Sequence, residues 1–180
     1  MLVETPDKLA LDLERARREG WHFGAKLVRG AYMNSERERA AERGYPDPIQ
    51  PSVEATHACY DSALDRLLLH SPNPEKISLM IATHNTDSCE RAAGYLSEGG
   101  GSRVPRSNVA FGQLYGMADH LTFGLAAAGF FAYKYLPYGP VREVLPYLIR
   151  RARENADALS GAKAQRSLML REVGRRLLSR

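Results

Sequence analysis

The chain has 180 residues, 44% hydrophobic and 26% charged, with a formal net charge of +4, a balance that excludes a disordered chain and is enough for one domain with its own core. No apolar run approaches the ~20 residues of a membrane-spanning helix. The basic residues gather in helix-like runs (RARREG near the start, RRLLSR at the end), without the exposed aromatics or reading motif of a nucleic-acid surface.

In chain order, an opening helix is expected at 6–19, with Thr5 as cap and Pro6 in the first turn. Its mixed acidic and basic surface is neither a secretory signal nor an acid-poor presequence, so no targeting segment is expected within the chain. A buried strand follows in AKLVRGAY (25–32), then a helix at 53–70 and the strand ISLMIATH (77–84). Next come a helix at 86–98, the strand NVAFGQLY (108–115), a helix at 119–128 and the strand FAYKYLPY (131–138). Helices at 140–158 and about 162–178 close the chain. Cys59 and Cys89 lie far apart and the histidines have no ligand spacing, so free thiols and no metal are expected.

Strand followed by helix, repeated, means a parallel sheet covered by helices. A doubly wound sheet and a (βα)8 barrel compete. The former usually has a glycine-rich turn after its first strand, which is missing; the glycines of SEGGGSRVPRSN (97–108) connect a helix to a strand instead. The expected βα units amount to half of a closed barrel of ~250 residues.

Ligands of α/β folds gather at the C-terminal ends of strands. All the expected strands end in residues capable of chemistry: Gly30, Ala31 and Tyr32; Thr83, His84 and Asn85; Gln113; Tyr135 and Tyr138. Alternation puts Lys26, Val28, Gly30 and Tyr32 on one face of the first strand, with Leu27, Arg29 and Ala31 on the other. With the first set inward, Lys26 aims a cation at the site, Gly30 leaves room for a flat ligand and Tyr32 stands at the rim. Arg29 then faces the helices and needs a carboxylate that the sequence does not identify.

Each residue also has a plainer reading. Lys26 and Arg29 serve in structural ion pairs, His84 is a hydrogen-bonded core histidine, Gln113 satisfies backbone groups, and Tyr135 fills the interior beside Tyr133. Their coincidence at one sheet edge is what those readings leave unexplained. Further on, Arg150 and Arg151 are placed to take a ligand carboxylate through charge-assisted bonds of about 1.5–3 kcal/mol each. The alternative is a solvated face on which Glu154 pairs with Arg150, in the weaker order of charges.

The words EGWHFGAKLVRGAY, GYPDPIQPSVEATHACY, IATHN, FGQLYGM and YKYLPYGPVREVLPYLIRRARENA run in this order through nearly the whole chain. Together they resemble the C-terminal half of the proline dehydrogenase family, and KLVRGAY resembles its eukaryotic-like branch. The resemblance implies a single partial catalytic domain over 1–180 of α/β class: half of a distorted (βα)8 barrel, units five to eight, plus a C-terminal helix. It implies FAD as cofactor and the oxidation of L-proline to 1-pyrroline-5-carboxylate by hydride transfer to flavin N5, with a quinone as electron acceptor.

By the same resemblance, Lys26 matches a cation near flavin N5, with Val28 and Gly30 beside the ring and Thr83, His84, Asn85 and Gln113 lining the cofactor. Tyr32 and Tyr135 match aromatic walls around the substrate, Arg150 and Arg151 the pair that grips the proline carboxylate, and Glu154 a group near the cofactor. On this reading, reduced flavin and substrate, not a structural carboxylate, are the anionic partners of Lys26 and Arg29. Tyr135 would pack against C4 of the substrate, where the sister hydroxyproline dehydrogenases tend to a small residue, so proline is favoured.

The resemblance further implies a mitochondrial enzyme on the matrix side of the inner membrane, with peripheral membrane association of the full enzyme; a bacterial cytoplasmic origin is the alternative. A family lysine and aspartate from the first half of the barrel have no counterpart here. The lone chain is therefore expected to be inactive, with two open apolar edges. Alternatives are a hydroxyproline dehydrogenase, an inactive FAD-binding or self-assembling fragment, and an unrelated α/β interaction module.

Overall fold

The computed structural model describes residues 1–154 and 160–178, without the side chains at 152–154, 160–165, 168, 169 and 172. Its elements are α1 (Thr5–Glu19), β1 (Phe23–Val28), α2 (Met33–Arg43), α3 (Val53–Leu69), β2 (Ile77–Ala82) and α4 (Thr86–Leu96). They continue with β3 (Val109–Leu114), α5 (Asp119–Ala127), β4 (Phe131–Tyr135), α6 (Val141–Glu154) and α7 (Ser160–Leu178). The strands form one sheet in the order β1-β2-β3-β4, every pair parallel. A sheet of sequential parallel neighbours joined through helices is the half-barrel arrangement that the alternating pattern implies.

Alternation decides which side is buried. Leu27, Ile77, Leu79, Ile81, Val109 and Phe111 share the helix-facing side. They pack into one core with Tyr60, Leu64, Leu67 and Leu68 of α3, Ala92 and Leu96 of α4, and Leu121 and Leu125 of α5. The other side is built in rows set by the register: Lys26, Met80, Ala110 and Phe131, then Val28, Ala82, Gly112 and Tyr133. That side is open, with Phe131, Tyr133 and Tyr135 about half exposed. The ammonium of Lys26 on β1 lies 5.5 Å from the ring of Tyr135 on β4. Three strand spacings, ~14 Å in a flat sheet, separate these edges. The sheet therefore curls around its open side as an arc of a barrel does.

Three expectations are corrected. The first strand begins earlier and ends at Val28, because Gly30 (φ 69°) and Tyr32 (φ 62°) take left-handed backbone that no strand tolerates. A helix, α2, occupies MNSERERAAER where none was expected. Its residues are strong helix formers, but only Ala40 is buried, so no apolar period announces it. Finally, Thr5 is the first residue of α1 and makes no cap; the start is fixed instead by Val3 N–H donating to Pro48 O at 2.8 Å beside a Leu2–Ile49 bridge. The tail of the helix expected at 140–158 lies outside the described residues.

The remaining strands stop one to three residues short of their expected ends because Thr83, His84, Tyr115 and Leu136 to Tyr138 have left the ladder. The glycine loop does join α4 to β3. Gly100 has no room for a side chain, since a Cβ there would sit 1.9 Å from the carbonyl oxygen of Gly94.

Candidate active site

At its C-terminal end, the open side of the sheet is met by α6 through Tyr147 and Arg151. Tyr147 and Arg151 lie four residues apart, so they share a helix face, and that face is turned to the strand ends. The Tyr147 ring is 5.8 Å from that of Tyr135. The Arg151 guanidinium is 5.4 Å from the Tyr147 ring and 5.1 Å from that of Tyr32. With Lys26 over Tyr135, this makes an unbroken run of two cations and three tyrosines across the mouth of the arc. Burial, then its hydrogen bond with Tyr135, raises the pKa of Tyr147.

Tyr147 is absent from the sequence-derived set. Its spacing from Arg151 was the available signal. Arg150, ~100° further round the helix, is exposed. The side chain of Glu154 lies outside the described residues.

The second strand end is built differently. Asn85 Oδ1 accepts from Ser88 N–H at 2.9 Å and caps α4. Thr83 Oγ1 accepts from Asn85 N–H at 3.1 Å. Gln113 is 2% exposed and sits on the helix-facing side of β3, donating to Thr83 O at 3.3 Å and accepting from Thr122 Oγ1 at 2.8 Å. The plainer reading of Gln113 as a partner for backbone groups describes its amide. His84 Nε2 accepts from Leu114 N–H at 3.0 Å, tying the end of β2 to the end of β3. That bond assigns the proton to Nδ1. Burial, reinforced by Lys134, lowers the pKa of His84 and favours this neutral form.

For Arg29 the alternation that turned it to the helices holds, and the expectation of a ligand anion as its partner is corrected. It points into the helix layer and pairs with a structural carboxylate, Asp61 of α3, at 3.3 Å. Arg29 also hydrogen-bonds His57 of α3 and Ser88 of α4, and lies 4.4 Å from the Tyr60 ring. A guanidinium this buried needs such company, because desolvation alone disfavours its charge.

Lys26 has no carboxylate partner among the described residues. Beside it stands Met80, and past Met80 the floor is made of small residues, Ala82, Ala110 and Gly112, while a Cβ placed at Gly30 would meet nothing within 4 Å. A floor of mostly small residues flanked by a lone ammonium and aromatic side chains fits a planar anionic ring such as a flavin. Arg151 beyond the tyrosines suits a small carboxylate.

The family model described as proline dehydrogenase matches residues 2–164. Proline dehydrogenase 1, mitochondrial, of Homo sapiens is 50% identical over 176 residues, which are 98% of this chain and 29% of the human protein. The hydroxyproline dehydrogenase of Xenopus laevis is 48% identical over 172 residues, covering 95% of this chain and 37% of its own. Among solved structures, proline utilization A (PutA) from Bdellovibrio bacteriovorus, inactivated by N-propargylglycine, is similar with a TM-score of 0.72 at 28% identity, over 86% of this chain and 15% of that one. The chain thus spans less than two fifths of the length of these curated relatives. Sequence and fold agree over nearly all of it, and the chain belongs to the proline dehydrogenase family.

Proposed function

We propose that this chain forms a single partial catalytic domain over 1–180, supplying one half of a site that oxidises L-proline to 1-pyrroline-5-carboxylate with FAD. The observation that carries this reading is the run Lys26, Tyr135, Tyr147, Arg151 and Tyr32 across the mouth of the arc. When bound, FAD supplies the hydride acceptor for proline C5 and an outlet for the electrons to a quinone.

The chain's own residues bind and orient. Arg151, with Arg150 beside it in sequence, takes the substrate carboxylate and fixes which ring carbon faces the floor. Tyr135, Tyr147 and Tyr32 wall the substrate ring and exclude water, which strengthens the field of both cations. Lys26 holds positive charge where negative charge accumulates. Val28 and Gly30 leave the floor open, and His84 offers its Nδ1 proton. Thr83, Asn85 and Gln113 act from behind, holding the strand-end loops in place.

Relatives named for proline and for hydroxyproline match almost equally well. The bulk of Tyr135 at the mouth favours the unsubstituted ring. Several of the relatives are named as mitochondrial, which supports a mitochondrial setting; the matrix side of the inner membrane is the finer placement we propose from the family resemblance.

The test is visible absorbance and proline-dependent dye reduction, with FAD added, on the 180-residue chain and on a longer polypeptide carrying a complete barrel. The expected outcome is bleaching and turnover by the longer form and no turnover by the chain alone. A longer form that binds FAD yet ignores proline sinks the assignment. Turnover by the lone chain removes the requirement for a second half.

A further inference from the structure

The buried cluster behind β1 is unused by the chemistry above, yet its geometry ties it to the site. Arg29 is followed at once by Gly30 (φ 69°) and, two residues on, by Tyr32 (φ 62°). A tyrosine in left-handed backbone is strained by about 1–3 kcal/mol and persists only where the surroundings enforce it. On the C-terminal side the restraint is local: Ser35 Oγ and Glu36 N–H donate to Tyr32 O at 3.0 Å and 2.9 Å, and α2 buries only Ala40. On the N-terminal side it is dense. Arg29 reaches His57 and Asp61 of α3 and Ser88 of α4. Tyr60 O–H donates to Leu27 O at 3.2 Å. Ser88 Oγ donates to Asp61 Oδ1 at 2.6 Å, and Ser88 N–H is capped by Asn85, next to His84.

We propose that Arg29, Asp61 and Ser88 form a positioning clamp that fixes the end of β1 and the start of α4 together, and thereby sets Tyr32 against Arg151. The three residues touch neither substrate nor cofactor. The clamp acts through the turn at residues 30–32, and its link to substrate rests on the proline-oxidation reading. It also explains why a charge is retained in this layer: an apolar side chain in place of Arg29 would fill the space between α3 and α4 but would not orient the turn that follows.

A neighbouring ion pair supplies the control. Asp65 and Arg91 join the same two helices at 2.6 Å, one turn along and away from β1. Asp61→Asn and Asp65→Asn each remove one carboxylate between α3 and α4, but only the first touches the clamp. Hydrogen exchange over residues 29–36 reads the turn directly, without activity. The expected result is exchange roughly tenfold faster in Asp61→Asn, with Asp65→Asn like the unaltered chain. In the longer polypeptide carrying a complete barrel and loaded with FAD, KM for L-proline should rise roughly tenfold to a hundredfold in Asp61→Asn while kcat changes less. Arg29→Lys, keeping the charge but not the fork, should fall between the two.

Unchanged exchange in Asp61→Asn, or equal acceleration in both variants, overturns the clamp whatever the activity. Faster exchange with an unaltered KM overturns its role in positioning Tyr32. A parent protein that loads FAD but does not oxidise proline defeats the functional reading alone, and exchange then decides the clamp.

Discussion

His84 accepts the Leu114 amide through Nε2, a bond that only the neutral imidazole makes. Burial and Lys134 hold its pKa below the ordinary value near 6.5. The folded chain then binds fewer protons than the unfolded chain in that range. The stability this group contributes is present above about pH 6.5 and is lost as pH falls through the folded value. His84→Asn should therefore narrow the difference in Tm between about pH 7.5 and about pH 5.5; an undiminished difference would assign the acid sensitivity to other groups. On the proposed reading, Tyr135 governs the choice of ring. Tyr135→Ser should lower kcat/KM for L-proline and raise the ratio of 4-hydroxyproline to proline oxidation roughly tenfold to a hundredfold, measured by competing the two substrates.

Elements differ in how openly the sequence declares them. The strands and the helices that cover them read directly, since alternating and 3.6-residue apolar periods each record a buried face. Helix α2 buries almost nothing and so leaves no such record. The end of β1 was overrun because a tyrosine gives no warning of positive φ; only Gly30 hinted at the turn. The carboxylate for Arg29 was not identified, although a signal existed: His57 and Asp61 sit four residues apart on α3, a polar stripe beside its buried apolar face. The cap of α4 reads from Asn85 ahead of Thr86–Leu96. Asn85→Ala should cost about 1 kcal/mol in urea unfolding, whereas Asn85→Asp should retain the cap and gain from the helix dipole. Equal losses for both would mean that the cap is not what Asn85 contributes.

At the scale of the whole chain, the site exists because the sheet curls. Lys26 and Tyr135 are more than a hundred residues apart on opposite edge strands, yet their side chains meet. No local pattern encodes that distance; the rule that ligands gather at strand ends brought these residues to one sheet edge, and the family resemblance gave them roles there. Tyr147 was missed for the same reason, since its role depends on where α6 lands. The exposed Phe131, Tyr133 and Tyr135, with unpaired β1 and β4 edges among the described residues, are the physical ground for expecting no turnover by the chain alone. Large apolar side chains on an open face leave burial incomplete and a bound ring exposed to water on one side.

The strand order β1-β2-β3-β4 follows the order of synthesis. Each strand after β1 leaves the ribosome with its partner already made, so the sheet is able to grow one βα unit at a time without waiting for a distant segment. Helix α6, which bears Tyr147 and Arg151, emerges after all of them. The proposed carboxylate grip is then the last part of the described site to be translated, and on that reading a nascent chain presents its floor before it is competent to hold substrate.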